Sequence, residues 1–283
     1  MNLSRQAKEK VAFALLGACT LVVLTPVLLM VVLIAVRGAA AANWGFISRM
    51  PENYMRAGGI MPAIVGSLLL VGGTILLALP LGVLGAVYLT EYAGRGRMVG
   101  LVRLAIVNLA GVPSVVYGLF GLALFVLLFH FGTSLAAGCC TLALLVLPLV
   151  ITASEEALRA VPDELRQGSL ALGASRWQTT RRVVLPNALP GILTGAILAV
   201  GRAAGETAPI LFTAAAFYVP HLPKSVFDPV MALPYHLYII ATQVPNAPPQ
   251  IQWGAAWVLL ALVLAVNLVA IVIRYRIRRA RRW

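Results

Sequence analysis

Three stretches of this sequence run too long without a charge for a soluble fold. Val11 to Val36 carries none, nothing charged stands between Arg56 and Glu91, and nothing again between Arg103 and Glu155. A helix that crosses a bilayer needs about 20 consecutive apolar residues. The first two stretches therefore hold one span each, and the third is long enough for two. His130 to Ser134, HFGTS, supplies the turn between that pair. Two more apolar runs follow, Ala188 to about Tyr218 and about Gly254 to Ile273, with a proline-rich polar loop from Val219 to Trp253 between them, which makes six. Only 11% of the 283 residues are charged, against about 25% in soluble domains. The chain reads as an all-α membrane protein with six transmembrane helices.

The spans are placed at about 11–36, 61–90, 104–129, 135–154, 188–218 and 254–273. They make one domain, 11–273, between a short basic N-terminus (1–10) and a basic tail (274–283). The first run exceeds the ~7–15 apolar residues of a signal peptide, so it is expected to be retained as a helix. Net charge is +13, and its distribution sets the orientation. With the N-terminus in the cytoplasm, seventeen of the 22 lysines and arginines fall inside and four (Arg37, Arg49, Arg56 and Lys224) outside, with Arg202 in a span. Positive loops face the cytoplasm, so both termini are expected there. The basic balance thus serves contact with membrane lipid and orientation, and nucleic acid is not an expected partner. Trp44, Trp253 and Trp257 flank spans and suit the bilayer interface.

The segment 155–187 between the fourth and fifth spans is too long for a plain turn and reads as short helices. Pro162 followed by Asp163 and Glu164 suits a helix start, where acids meet the positive end of the dipole. Leu158, Val161, Leu165 and Leu172 recur at helical spacing as one apolar stripe. Gly173 is expected to stop that helix, Ser175 and Gln178 to restart one as a capping box, and Pro186 to end it. A solvated amphipathic helix resting on lipid headgroups is the plainer alternative.

The fifth span carries Arg202 and, four residues on, Glu206. On insertion scales an arginine deep in a bilayer costs about 2.5–3.5 kcal/mol. The pair reads either as a structural ion pair facing the bundle or as part of a solute path. Two features favour a path. The acid follows the base, which is the weaker order for supporting a helix. The flanks Ala203, Ala204, Gly205 and Thr207 are small and leave room beside the guanidinium. A guanidinium donates to two oxygens of a tetrahedral oxyanion at once. Arg202, Glu206 and Thr207 are the candidate path residues.

Three segments carry a resemblance. Gly173, nine residues, then Val183-x-Leu185-Pro186 is similar to the coupling-loop signature of ABC importer permeases, with Gln167-Gly168-Ser169 where that pattern has Glu-Ala-Ala. GVPSVVYGLFG (Gly111 to Gly121) and GRAAGETAPILF (Gly201 to Phe212) resemble the corresponding segments of phosphate ABC transporter permeases of the PstA type. The resemblance implies a type I ABC importer permease bundle in the cell (inner) membrane, passing phosphate by alternating access. It makes Gly173, Ala174, Ser175, Val183, Leu185 and Pro186 the ATPase-coupling residues. It also implies a second, related permease (PstC-like), an ATPase dimer (PstB-like) and an extracytoplasmic phosphate-binding protein (PstS-like). Relatives that carry an arginine at the end of the fourth span have it where Ile151-Thr152 stand here.

Other functions are argued against by the residues. None of the three lysines follows a glycine in a phosphate-loop pattern, so ATP and magnesium are expected in the partner ATPase and no cofactor on this chain. No nucleophile–base pair is evident in a loop, which speaks against an enzyme active in its own right. His130, His221 and His236 lack metal-ligand spacing, and Cys19, Cys139 and Cys140 sit in apolar runs as small apolar residues. A permease for sulfate or molybdate, or a membrane channel or enzyme of another class, stays open as an alternative.

Overall fold

A computed structural model describes residues 5–94 and 96–280. Residues 1–4, Arg95 and 281–283, part of the basic ends and of the basic turn, lie outside that description.

Twelve helices and one short hairpin appear among the described residues. In chain order they are α1 (Arg5–Gly38), α2 (Trp44–Ser48), β1 (Pro51–Glu52), β2 (Ala57–Gly58), α3 (Met61–Val87), α4 (Arg97–Ala110), α5 (Ser114–Gly121), α6 (Leu135–Arg159), α7 (Asp163–Ala171), α8 (Arg176–Thr179), α9 (Leu185–Gly205), α10 (Ala208–Thr213), α11 (Leu233–Thr242) and α12 (Pro249–Ala280). Wide π turns extend α3 over Tyr88–Tyr92 and α5 over Leu122–Leu128, and link α8 to α9 over Thr180–Val184. Five helices are long and apolar enough to cross a membrane, and a bent pair makes six if counted as one span.

The bundle centres on α6, which packs between α3 and α9. Small residues let these backbones close up. A Cβ on Gly82 of α3 would stand 2.6 Å from Val150 Cγ1, and one on Gly195 of α9 would stand 2.5 Å from Ala153 Cβ. Apolar side chains alone cannot drive association in lipid, so close packing of small faces does. Gly118 and Gly121 serve the same end on α5, meeting α10 and Thr141 of α6. In contrast α1 is exposed along nearly its whole length and leans mainly on α12. Arg37 at its end lies over the Trp253 ring, 5.0 Å from the centroid.

Four expectations change. The third span is not one helix over 104–129. It is α4 and α5 with a 102° bend between them. The break falls at Gly111–Pro113, because Pro113 has no N–H and pushes the residue before it out of the helical region. The fifth span is not continuous over 188–218. α9 stops at Gly205, Glu206 is extended (φ −75°, ψ 135°), and α10 begins at Ala208. Pro209, which has no N–H for the Gly205 carbonyl, favours that stop. Pro186 does not end a helix. It lies in the first turn of α9, within a helix that runs from Arg176 to Gly205. The π turn ahead of it, where the Leu185 N–H reaches back to the Thr180 carbonyl, makes room for a ring that would clash in a regular ladder. The region 219–253 is more than a polar loop. It contains α11, whose Leu233, Ile239 and Ile240 are fully buried against α3 and α12. Pro234 opens that helix, at a position where no N–H is needed.

The chain between α10 and α11 closes the far end of the bundle. The carbonyls of Asp228 and Val226 accept from the N–H groups of Leu135 and Ala136 at 2.9 and 2.8 Å, and the Thr213 carbonyl accepts from Ser134. These bonds satisfy donors that the start of α6 leaves open.

Candidate functional site

Arg202 stands in the last turn of α9, where helix carbonyls favour a positive charge. Its Nε is 3.4 Å from Oε1 of Glu206. That is long for a charge-assisted bond, which runs about 2.7–2.9 Å. Among the described residues the guanidinium makes no other hydrogen bond, so its remaining N–H groups are uncommitted. The Arg202 side chain is 35% exposed and that of Glu206 17%. Glu206 reaches back to Arg202 although it has left the helix. It caps α9 from an extended backbone, and Thr207 follows it, half-buried, ahead of α10.

The surroundings separate a packed side from an open one. Ala203 and Ala204 are buried on the packed side. Gly205 is exposed, with no atom within 4 Å of where its Cβ would be. Beside Glu206 lies a cavity of about 10 Å³ walled by Ser67, Leu142, Ile210 and Pro234, room for about one water molecule. The Ser67 hydroxyl accepts from the Leu233 N–H at 2.7 Å and so pins α11 to α3 beside the pair. Tyr117 of α5 lies within electrostatic reach of Arg202 and donates to the Leu109 carbonyl at 2.9 Å, across the α4–α5 bend. The arrangement presents a cation with free donors next to an acceptor carboxylate, at a break between two half-helices.

The segment between α6 and α9 is built stiffly. Pro162 precedes α7 in an extended conformation, with Asp163 and Glu164 in the first turn. Gly173 adopts φ +83°. From there its N–H bonds the Leu170 carbonyl at 2.9 Å and the Ala174 N–H bonds that of Ser169 at 3.3 Å. That pair of bonds closes the helix and needs a left-handed residue, which glycine adopts without strain. Ser175 and Gln178 form a reciprocal capping box at 3.3 and 2.8 Å. The Ser169 and Thr179 hydroxyls meet at 2.9 Å, fastening α7 to α8. Val183 lies in the π turn, and Leu185 and Pro186 open α9. The apolar stripe is split. Leu158 and Val161 are buried, while Leu165 and Leu172 point outward with Leu170 and Trp177. The outer set gives a rigid helix pair exposed apolar side chains.

The family described as "Binding-protein-dependent transport system inner membrane component" matches residues 78–283. The chain belongs to this family. It is 39% identical to "Phosphate transport system permease protein PstA 1" of Mycobacterium tuberculosis (strain ATCC 25618 / H37Rv) over 289 residues, covering 100% of this chain and 92% of that protein. It is 34% identical to "Probable ABC transporter permease protein YqgI" of Bacillus subtilis (strain 168), covering 95% of each. Among solved structures, that of a bacterial alginate ABC transporter in complex with an alginate pentasaccharide-bound periplasmic protein aligns with a TM-score of 0.68 at 14% identity, over 93% of each chain. This inner membrane component is therefore a multi-pass membrane protein with the type I importer permease fold.

Sequence reasoning left several neighbours of the site unassigned. The contact of Ser67 with Leu233 joins residues 166 positions apart, and no local pattern signals it. Arg166 and Glu91, an ion pair at 3.0 Å below the bundle, are likewise far apart in the chain. The break at Glu206 did have a signal, since Gly205 and Pro209 bracket it.

Proposed function

We propose that this chain is a permease subunit of an ATP-driven importer of inorganic phosphate, with Arg202 and Glu206 meeting the anion on its way through the membrane. The observation that carries the reading is the Arg202–Glu206 pair at the break between α9 and α10, with guanidinium N–H groups to spare. Hydrogen phosphate accepts from those donors and donates a hydrogen bond from its own O–H to the Glu206 carboxylate. Sulfate at neutral pH has no proton to give and is repelled. The name of the mycobacterial relative supports phosphate as the solute.

In this reading both ends of the chain and the α7–α8 pair face the cytoplasm. An ATPase dimer docks on the α7–α8 pair, where Leu165, Leu170, Leu172 and Trp177 are exposed, with Gly173, Ala174, Ser175, Val183, Leu185 and Pro186 keeping the pair rigid. ATP and magnesium belong to the ATPase, and this chain supplies no catalytic group. A second, related permease completes the path, and an extracytoplasmic binding protein delivers phosphate to it. A stiff helix pair passes on a rigid-body movement that a loose loop would absorb, so hydrolysis swings the bundle between outward- and inward-open states.

The test is ATP-dependent uptake in proteoliposomes holding this chain with its co-purifying subunits. Labelled phosphate is expected to accumulate, and excess sulfate is expected not to compete. Glu206→Gln, which no longer repels an aprotic anion, is expected to let sulfate compete. Uptake of sulfate by the parent protein at the phosphate rate would refute the assignment.

A further inference from the structure

Arg166 is held more fully than any other arginine described. Its five N–H groups meet five acceptors. Nε and Nη2 donate to the two oxygens of Glu91 at 3.3 and 3.0 Å. Nη2 also donates to the Leu158 carbonyl at 2.7 Å, and Nη1 to the Val161 carbonyl at 2.6 Å and to Asp163 at 3.0 Å. The side chains of Arg166 and Glu91 are only 16% and 12% exposed.

The partners belong to three different elements. Glu91 sits in the π turn that ends α3. Leu158 stands in the last turn of α6, where its carbonyl also accepts from the Val161 N–H at 3.3 Å, and Val161 lies in the link just past the helix end. Arg166 itself is in the middle of α7. A second tie reinforces the joint. Arg103 of α4 donates to Glu155 of α6 at 2.7 Å and to the Leu89 carbonyl in the same π turn at 2.8 Å. On its other side α7 is fastened to α8 by the Ser169–Thr179 contact.

We infer that Arg166 is a positioning residue for transport, through which a push on α7 reaches α3 and α6 as well as α9. Without it, α7 is joined to α6 only by the short link through Ala160, Val161 and Pro162, and to α3 not at all by a side-chain bond among the described residues. With it, the cytoplasmic ends of both spans and α7 move as one body. A planar fork is needed, because an ammonium has three donors at one point and cannot bridge a carboxylate and two carbonyls in separate directions. This inference rests on the function proposed above, since it assumes an ATPase acting on α7.

The test uses the purified importer in proteoliposomes and records phosphate taken up per ATP hydrolysed. Arg166→Lys keeps the charge and loses the fork. The pair Arg166→Gln with Glu91→Gln removes both charges, so that no buried carboxylate is stranded if the single variants accumulate poorly. Both are expected to retain the ATPase and hydrolyse ATP within about twofold of the parent, while uptake per ATP falls about tenfold or more, since each variant loses at least one charge-assisted bond. Unchanged uptake per ATP in the double variant overturns the inference. So does failure of both variants to retain the ATPase, because the contact would then merely shape the docking face. A parent complex that hydrolyses ATP without importing phosphate counts against the proposed function instead.

Discussion

Replacing Arg202 by alanine separates a solute contact from a structural ion pair, because the two roles predict opposite effects on stability. The structure shows one bond from Arg202, 3.4 Å long, to a carboxylate, with the guanidinium 35% exposed. A pair of that kind contributes about 0–1 kcal/mol. Removing a cation from an apolar span relieves about 2.5–3.5 kcal/mol of insertion cost. Arg202→Ala is therefore expected to be neutral or mildly stabilising, even though Glu206 loses its partner. Transport is expected to move the other way. Each charge-assisted bond lost to the anion is worth about 1.5–3 kcal/mol, or roughly ten- to a hundredfold in rate. The assay pairs thermal unfolding of the purified importer in detergent with phosphate uptake in proteoliposomes. Arg166→Ala is the internal standard for a structural pair, since stranding a buried partner costs about 3–5 kcal/mol. If Arg202→Ala unfolds as readily as Arg166→Ala, or takes up phosphate at the parent rate, the reasoning about the α9–α10 break is wrong.

Two further outcomes follow from packing and from charge. Gly195→Val puts a branched side chain where even a Cβ would stand 2.5 Å from Ala153 Cβ. It is expected to destabilise the α6–α9 contact by about 1–3 kcal/mol, read as a lower melting temperature. Asp228 accepts from the N–H groups of Lys224 and Ser225 at 2.8 and 2.9 Å, and these bonds hold its carboxyl below the ordinary carboxylate range. A group whose pKa is lowered on folding stabilises above its unfolded value, about 3.9, and that contribution is lost as pH falls through the lower folded value. Protection of the Lys224 and Ser225 amides from hydrogen exchange is expected to fall with acid in that window. Asp228→Asn is expected to abolish the pH dependence.

The sequence exposes the membrane class and the stiff segment below the bundle because both signals are local. Absence of charge from Val11 to Val36 or from Arg103 to Glu155 excludes other folds on solvation grounds alone. Gly173, Ser175 and Gln178 act on residues within a few positions of themselves. The breaks are local too, yet proline and glycine are tolerated within membrane helices, so GVP and GETAP do not by themselves say that the helix stops. Neighbouring elements decide that, as when Gly118 brings α5 against Pro209 and Phe212. What joins distant parts of the chain is hidden. The partners of Arg166 include a residue 75 positions away, and a lone arginine in a basic segment looks like one more contributor to orientation. Likewise, α11 reads as loop because Pro234 looks like a breaker until the helix it opens is seen.

No backbone hydrogen bond among the described residues passes from α10 to α9 across Glu206 and Thr207. A rod already severed has nothing left to snap, so a change of angle between its pieces would break no backbone bond. Arg202 rides on the tip of the longer piece. A joint of this kind would let the two pieces change their angle at that tip without unwinding a single turn.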